Sequence, residues 1–387
     1  MEKKMNLPRD GGANMEEDKI SNLPDDIIHR IFSFLDMTYI VRTCILSPRW
    51  KNTWASTPYI NLNSGMFKSN HEFKEFVKHV LTHRNNRIEV LEAELRFDGQ
   101  TDQRCVEDIV NYANLHNARK VTMIWFPKFI HELPQYFFSS FRTLNHLTLG
   151  EDPPSLRIIY LPESAWDFPA LETLTLSYIC LRLCDPRNKS VDLFSKCVNL
   201  KDLTLRKLVL DKVIFNVCAP QLLNLTITDC LSFPEVFNVV APQLKNLTTS
   251  LNAPYNYTHG GPLFLPLSTY GSFNSLENVN LSFVGGKKEQ RHGSQLLNLF
   301  QIICKAKFLN LDVDIMNNLS NSCLLNQLSC PFNNLKCLKI NAKSLKQNEH
   351  IPTIPVQMKN YFLQNSPSAT FIVESTGATE EIKGAGT

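Results

Sequence analysis

A chain of 387 residues has room for two or three domains, or for one small domain followed by an array. Its hydrophobic share of 43% fits a folded chain, and a formal net charge of +3 argues against a nucleic-acid binder held mainly by phosphate contacts. No stretch approaches the roughly eighteen apolar residues of a membrane span, so no membrane partner is expected. The polar start, MEKKMNLPRDGGANMEEDK, lacks the apolar core of a signal peptide. Eleven cysteines are scattered, and the nearest pair, Cys180 and Cys184, is not a C-x-x-C. An odd count without a secretion signal predicts reduced thiols in cytoplasm and/or nucleus, with the acceptor-type triplets at Asn188, Asn224, Asn246, Asn256, Asn280 and Asn318 unmodified.

In chain order, residues 1–17 are mixed in charge and are expected to be disordered. Leu23-Pro24 then opens a stripe of Ile27, Ile28, Ile31, Phe32 and Leu35 at helical spacing. Asp25 and Asp26 fall in its first turn, where the helix dipole favours negative charge. A second short segment carries Ile40, Val41, Cys44 and Ile45, and Ser47-Pro48 provides an N-cap hydroxyl and a first-turn proline ahead of Trp50. Three helices so short cannot bury a full core alone.

These residues carry a resemblance. Leu23-Pro24, Ile27-Ile28, Ile31, Leu35 and Leu46-Ser47-x-x-Trp50 resemble the F-box, and the preface DKISNLPDDII and the segment LSPRW are most similar to its plant branch. Pro48 departs from the Lys usual there, which puts one polar contact in doubt. The resemblance implies a three-helix F-box over 18–60 docking on a Skp1-like adaptor and, through it, a cullin. It also implies an adaptor-facing surface made by Leu23, Pro24, Ile27, Ile28, Ile31, Leu35, Val41, Leu46 and Trp50.

Residues 61–86 are expected to be a linker and capping helix. Within them Phe73, Phe76, Val77, Val80 and Leu81 define the apolar face, and His79 and His83 are read as its polar flank, not as metal ligands. From 87 to 345 the pattern L-x-x-L-x-L recurs, at Leu144, Leu171 and Leu200, then with substitutions at Leu222, Leu244, Leu276, Phe308 and Leu335. Starts lie roughly 22 to 32 residues apart, the spacing of leucine-rich repeats, and about eight to ten repeats are expected. The octets APQLLNLT at Ala219 and APQLKNLT at Ala241 are near copies. Each repeat contributes one strand that only its neighbours can cover, so the fold class is α/β: an F-box followed by a curved repeat solenoid. The segments between strands, such as VDLFSKCVNL, are expected to be helical or irregular. The array resembles that of plant F-box/leucine-rich-repeat proteins.

Residues 346–374 are expected to cap the array, with a closing strand at Thr370–Val373, and 375–387 to be a disordered tail. No nucleophile elbow or phosphate loop is present, and Gly285-Gly286-Lys287-Lys288 lacks the rest of a P-loop. No catalytic residue, metal or cofactor is therefore assigned. Positions between the leucines are expected on the concave face, neutral in the middle and acidic near Asp312 and Asp314. Thr204, Arg206, Asn224, Thr226, Asn246, Thr248 and Asn280 are the candidate contacts to a target protein, with Asn224 and Asn246 free either to bind it or to stack on each other. The expected role is the substrate-recognition adaptor of an SCF-type ubiquitin ligase. The alternative is a repeat-based scaffold without ubiquitination.

Overall fold

The structure is a computed structural model, and the residues it describes are 22–47, 49–98, 101–126, 136–151, 159–161, 165–181, 190–210, 214–230, 234, 236–252, 266–268, 273–284, 291–320, 329–342, 355–374 and 379–382. The expected disordered N-terminus, Pro48, the triplets at Asn188 and Asn256 and the glycine-lysine turn at 285–288 lie outside them.

Helix α1 (Asp25–Phe32) starts after Pro24, whose carbonyl accepts the Ile28 N–H at 3.1 Å. Asp36 caps α2 (Met37–Arg42) by accepting from the Thr38 N–H at 2.8 Å. Helix α3 (Trp50–Thr53) follows Ser47, whose hydroxyl accepts the Trp50 N–H at 3.4 Å. Trp50 meets Phe32 edge-on at 5.6 Å, and Ile28, Met37 and Ile40 complete this small core.

The chain then enters β1 (Tyr59–Asn63), where the sequence pointed to a connector; its alternation of Ile60 and Leu62 buries just two apolar side chains, too short a signal to read. Next come α4 (Asn70–His83), capped by Ser69, β2 (Glu92–Asp98), α5 (Gln103–Leu115), capped by Asp102, and β3 (Lys120–Phe126). After α6 (Phe137–Ser140) and β4 (His146–Glu151) come further short strands. These are β5 (Ile159–Leu161), β6 (Thr173–Ser177), β7 (Ile179–Leu181), β8 (Ser190–Asp192), β9 (Asp202–Arg206) and β10 (Ile214–Cys218). They continue with β11 (Asn224–Thr228), β12 (Val236–Val240), β13 (Asn246–Asn252), β14 (Leu267–Ser268) and β15 (Asn278–Val284). Helices return at α7 (Arg291–Ile302), before β16 (Phe308–Asp312), α8 (Val313–Ser320), β17 (Cys337–Asn341), α9 (Val356–Leu363), β18 (Thr370–Glu374) and β19 (Thr379–Ile382).

Thirteen of these strands form one sheet in the order β1-β2-β3-β4-β6-β9-β11-β13-β15-β16-β17-β18-β19. Every neighbouring pair is parallel until β19, which turns back antiparallel on β18. Strands β14-β12-β10-β8 make a second sheet, and β5 pairs with β7. A parallel sheet in which each strand lies beside the one from the next copy of a motif is what a repeat solenoid requires.

Register explains the leucine periodicity. Leu147, Leu174, Leu203, Leu225, Leu247, Val279, Leu309, Leu338 and Phe371 occupy one row across the sheet, and all are buried. Truncating any one to Ala is expected to cost about 2–5 kcal/mol. Behind them runs an aromatic line. Phe138 stacks on Trp166 at 4.5 Å, followed by Phe194, Phe215 and Phe237, and near the end Phe300, Phe332 and Phe362 meet in a second cluster. At Gly150, next to last in β4, a Cβ would lie 2.9 Å from that of Ser177, so only glycine fits β4 against β6 there.

Four expectations change. The segment VDLFSKCVNL holds strand β8 and then a turn in which the Asp192 carboxylate accepts from Phe194 and Ser195 N–H at 3.2 Å, so this layer is partly short strands and not helices. Asp312 is buried and accepts the Ile315 N–H at 3.0 Å, while Asp314 belongs to α8; neither makes an acidic floor. Strand β1 runs into the segment expected to be a linker and pairs in the same sheet as the repeats, while β18 stands where the closing strand Thr370–Val373 was expected. Strand β19 lies within the expected disordered tail, because its backbone satisfies the edge of β18.

Candidate protein-interaction surfaces

The first surface belongs to the N-terminal helices. Pro24, Ile27 and Ile31 are exposed, with Ile27 at 44% and Ile31 at 40%. Ile28, one residue from Ile27, is fully buried, so the single stripe read in the sequence divides into an inward row, Ile28 and Phe32, and an outward row, Ile27 and Ile31. Leu23, Leu35 and Val41 are half-buried against the core, and Trp50 lies inside it at 4%. Leu46 is exposed. Two side chains outside the expected adaptor-facing set are more exposed still: Phe34 at 75% and Ile45 at 85%. Their signals were present, since Phe34 extends the Ile27, Ile31 row by three residues and Ile45 adjoins Leu46. Arg30 lies over the Phe34 ring at 5.3 Å, and Arg49 pairs with Asp25 at 2.5 Å, which ties α3 to α1. Asp36 sits beneath, its carboxyl pushed up by burial although Thr38 hydrogen bonds oppose the shift.

The module is fastened to the sheet by polar groups. Asn61 on β1 donates to the Ser33 and Leu35 carbonyls at 3.0 Å each. Arg84, buried at the end of α4, donates to the Thr57 carbonyl at 2.5 and 3.2 Å and to the Tyr112 hydroxyl at 3.2 Å. Burial pulls its guanidinium below the ordinary range, opposed by Tyr112.

The second surface is the outward face of the long sheet. Its middle row runs Thr122, Thr148, Thr175, Thr204, Thr226, Thr248, then Asn280 and Asn310, in register. Strands about 4.8 Å apart place six threonines in line. The neighbouring row is a hydrogen-bonded ladder: Asn224 donates to the Asp202 carboxylate, Asn246 to the Asn224 carbonyl oxygen at 2.5 Å, and Asn278 to that of Asn246 at 2.7 Å. Of the two readings left open for Asn224 and Asn246, the structure shows stacking on each other. A second ladder, Asn238 to Asn216 to Ser190, crosses the short sheet. Asn280 donates to the Thr248 hydroxyl at 3.1 Å, and Arg206 is exposed at the end of β9.

Beyond Arg206 the chain enters left-handed backbone. Tyr178, Lys207 and Asp229, each directly after a sheet strand, have φ of 56°, 50° and 55°. Such non-glycine residues are strained, and the row is held by Tyr178 N–H to Arg206 carbonyl and Lys207 N–H to Thr228 carbonyl bonds. Lys207 also donates to the Tyr178 hydroxyl at 2.5 Å. Nothing in the strand pattern announced these turns, because no glycine marks them.

His79 and His83 lie ring to ring at 4.0 Å, and no group of three metal-ligating side chains occurs among the described residues. No helix among those residues is long and apolar enough to cross a membrane.

Comparison with known proteins bears on the first surface directly: the F-box domain family matches residues 20–60. An F-box/LRR-repeat protein of Arabidopsis thaliana is 32% identical over 220 residues, 54% of this chain and 36% of its own length. An FBD-associated F-box protein of the same plant is 25% identical over 216 residues, 52% of this chain and 42% of its own. F-box/LRR-repeat protein 25, also from Arabidopsis thaliana, is 49% identical over 45 residues, 11% of this chain and 17% of its own. In these matches the chain spans less than half the length of each relative. The chain carries an F-box domain at its N-terminal end, and its relatives are plant F-box/leucine-rich-repeat and FBD-associated F-box proteins.

Proposed function

We propose that this chain is the substrate-recognition subunit of a Skp1–cullin–F-box ubiquitin ligase. Its F-box would hold a Skp1-like adaptor, its repeats would hold a target protein, and ubiquitin transfer would occur on other subunits. In this reading the chain works by positioning. The observation that carries it is the exposed row Ile27, Ile31 and Phe34, with Ile45 and Leu46 also exposed, all inside the matched F-box segment. Clustered exposed apolar side chains mark interaction sites, and the sheet does not cover these.

Ile28 and Trp50 are inside the core, so their part is to hold Ile27 and Ile31 in place. The outward face of the sheet would be the concave lining of a curved solenoid, where Thr204, Thr226, Thr248, Asn280 and Arg206 offer hydrogen bonds. Asn224 and Asn246 would shape that floor and leave target contact to the threonines.

Affinity purification of the tagged chain from plant cells, with and without proteasome inhibition, tests the proposal. A Skp1-like adaptor and a cullin should co-purify, and at least one further protein should accumulate with inhibitor and carry ubiquitin. Adaptor without any protein that accumulates would favour a scaffold role. Absence of the adaptor would overturn the reading.

A further inference from the structure

The rim of the long sheet, one residue before each strand, changes charge character along the chain. At this position each N–H bonds the carbonyl one repeat earlier: Leu223 to Lys201, Lys245 to Leu223, Glu277 to Lys245, Lys307 to Glu277 and Lys336 to Lys307, at 2.7–2.9 Å. In the earlier repeats the cations of this side are matched by anions. Arg119 pairs with Glu89 at 3.4 Å, Arg142 with Asp167 at 3.2 Å and Lys201 with Glu172 at 3.1 Å.

After Lys201 the balance fails. Lys245, Lys305, Lys307 and Lys336 gather around one carboxylate, Glu277, which bonds Lys307 at 2.7 Å. Among the described residues the other three lysines form no ion pair, and all three are exposed. The carboxyl of Glu277 is held below its usual range first by the Lys307 hydrogen bond, with the charges of Lys245 and Lys336 adding to it, so these groups share one field. Three of the lysines line a cavity of about 400 Å³, together with Asn274 and Asn333. The local excess of positive charge equals the formal +3 of the whole chain.

Size and shape select the ligand. Lys245, Lys307 and Lys336 precede strands β13, β16 and β17, with β15 between the first two, so the row spans about 14 Å at the ordinary strand spacing. That is wider than one phosphate and matches several residues of extended chain, whose same-side side chains lie about 7 Å apart. The lining contains no aromatic ring on which bases would stack. We infer that this rim cavity binds an acidic segment of a partner protein, an extended stretch with several Asp or Glu carboxylates. The site goes beyond the receptor reading and does not depend on it, since it belongs to neither the F-box nor the outward face.

The test is fluorescence anisotropy of a labelled acidic peptide of about twelve residues, Glu- and Asp-rich with Gly spacers, titrated with the full chain at about 50 and 300 mM salt. Saturable binding that weakens with salt is expected. The variant Lys245→Gln/Lys305→Gln/Lys336→Gln, which keeps the Lys307–Glu277 bond, should bind at least about tenfold more weakly with an unchanged melting temperature. Lys68→Gln/Lys78→Gln, exposed on and near α4, should bind as the parent does. If the triple variant misfolds, Lys305→Gln and Lys336→Gln singly should each weaken binding about threefold. No peptide binding, or variants within experimental error of the parent, would overturn the inference. So would displacement by equimolar inorganic phosphate, which assigns the site to a free anion, or tighter binding of a single-stranded oligonucleotide.

Discussion

At the scale of single residues, the polar side chains that matter most are those that join one element to another. Arg84 is the clearest case: the residue is 3% exposed, and its guanidinium serves the Thr57 carbonyl twice and the Tyr112 hydroxyl once. A lysine keeps the charge but loses the fork that reaches both partners. Arg84→Lys is therefore expected to cost about 1–3 kcal/mol in urea unfolding, and a cost below about 0.5 kcal/mol would show that the bonds are replaced by water. The asparagine ladder makes a second residue-scale prediction. Asn246 donates to Asn224 and accepts from Asn278, so Asn246→Ala leaves an acceptor and a donor without partners. A loss of about 1–3 kcal/mol is expected, with target capture retained by whatever fraction stays folded. Unchanged stability with lost capture would return Asn246 to the target-binding set. The sequence placed Asn224 and Asn246 one repeat apart on equivalent positions, yet could not decide between a ligand and a neighbour. That choice depends on inter-strand distance, which no single strand encodes.

At the scale of elements, legibility followed the length of the hydrophobic pattern. The helix at Asn70–His83 and the leucine strands were readable because four or more apolar residues repeat at one spacing. Strand β1 was missed because Ile60 and Leu62 alone alternate, and β19 because Thr379–Ile382 contains one apolar residue. Its place is set by the unpaired backbone of β18, a tertiary cause. The short strands β10 and β12 were hidden for a related reason: IFNVC and VFNVV are apolar enough to suit a helix or a strand, and only pairing with each other decides. Deleting 376–387 should therefore lower the melting temperature and speed hydrogen exchange of the amides of Thr370–Glu374. If both are unchanged, the segment is a solvated tail after all.

At the scale of the whole molecule, one hydrophobic core runs from Ile28 and Phe32 through Ile60 and Leu62 to Phe371 and Val373. Asn61 bonding Ser33 and Leu35 binds the F-box to the first strand, so this continuity leaves no loose linker between the module and the repeats. A partner held on the outward face would then stand at a set position relative to the adaptor, which is what delivery of a target to a distant catalytic subunit needs. The exposed row proposed to face the adaptor was half legible: the sequence pointed to Ile27, Ile31 and Leu46, but it gave no way to separate them from buried Ile28 and Trp50, since one helical stripe can be split by packing on two sides. The central claim is tested most directly by calorimetric titration of a purified Skp1-like adaptor into the full chain and into Ile27→Asp/Ile31→Asp. These positions are exposed, so the variant should keep its melting temperature within about 2 °C. The account predicts tight binding to the parent and at least about a hundredfold weaker binding to the variant, as expected when charge replaces the apolar centre of an interface. Equal binding by a folded variant, or no binding by the parent, would contradict it.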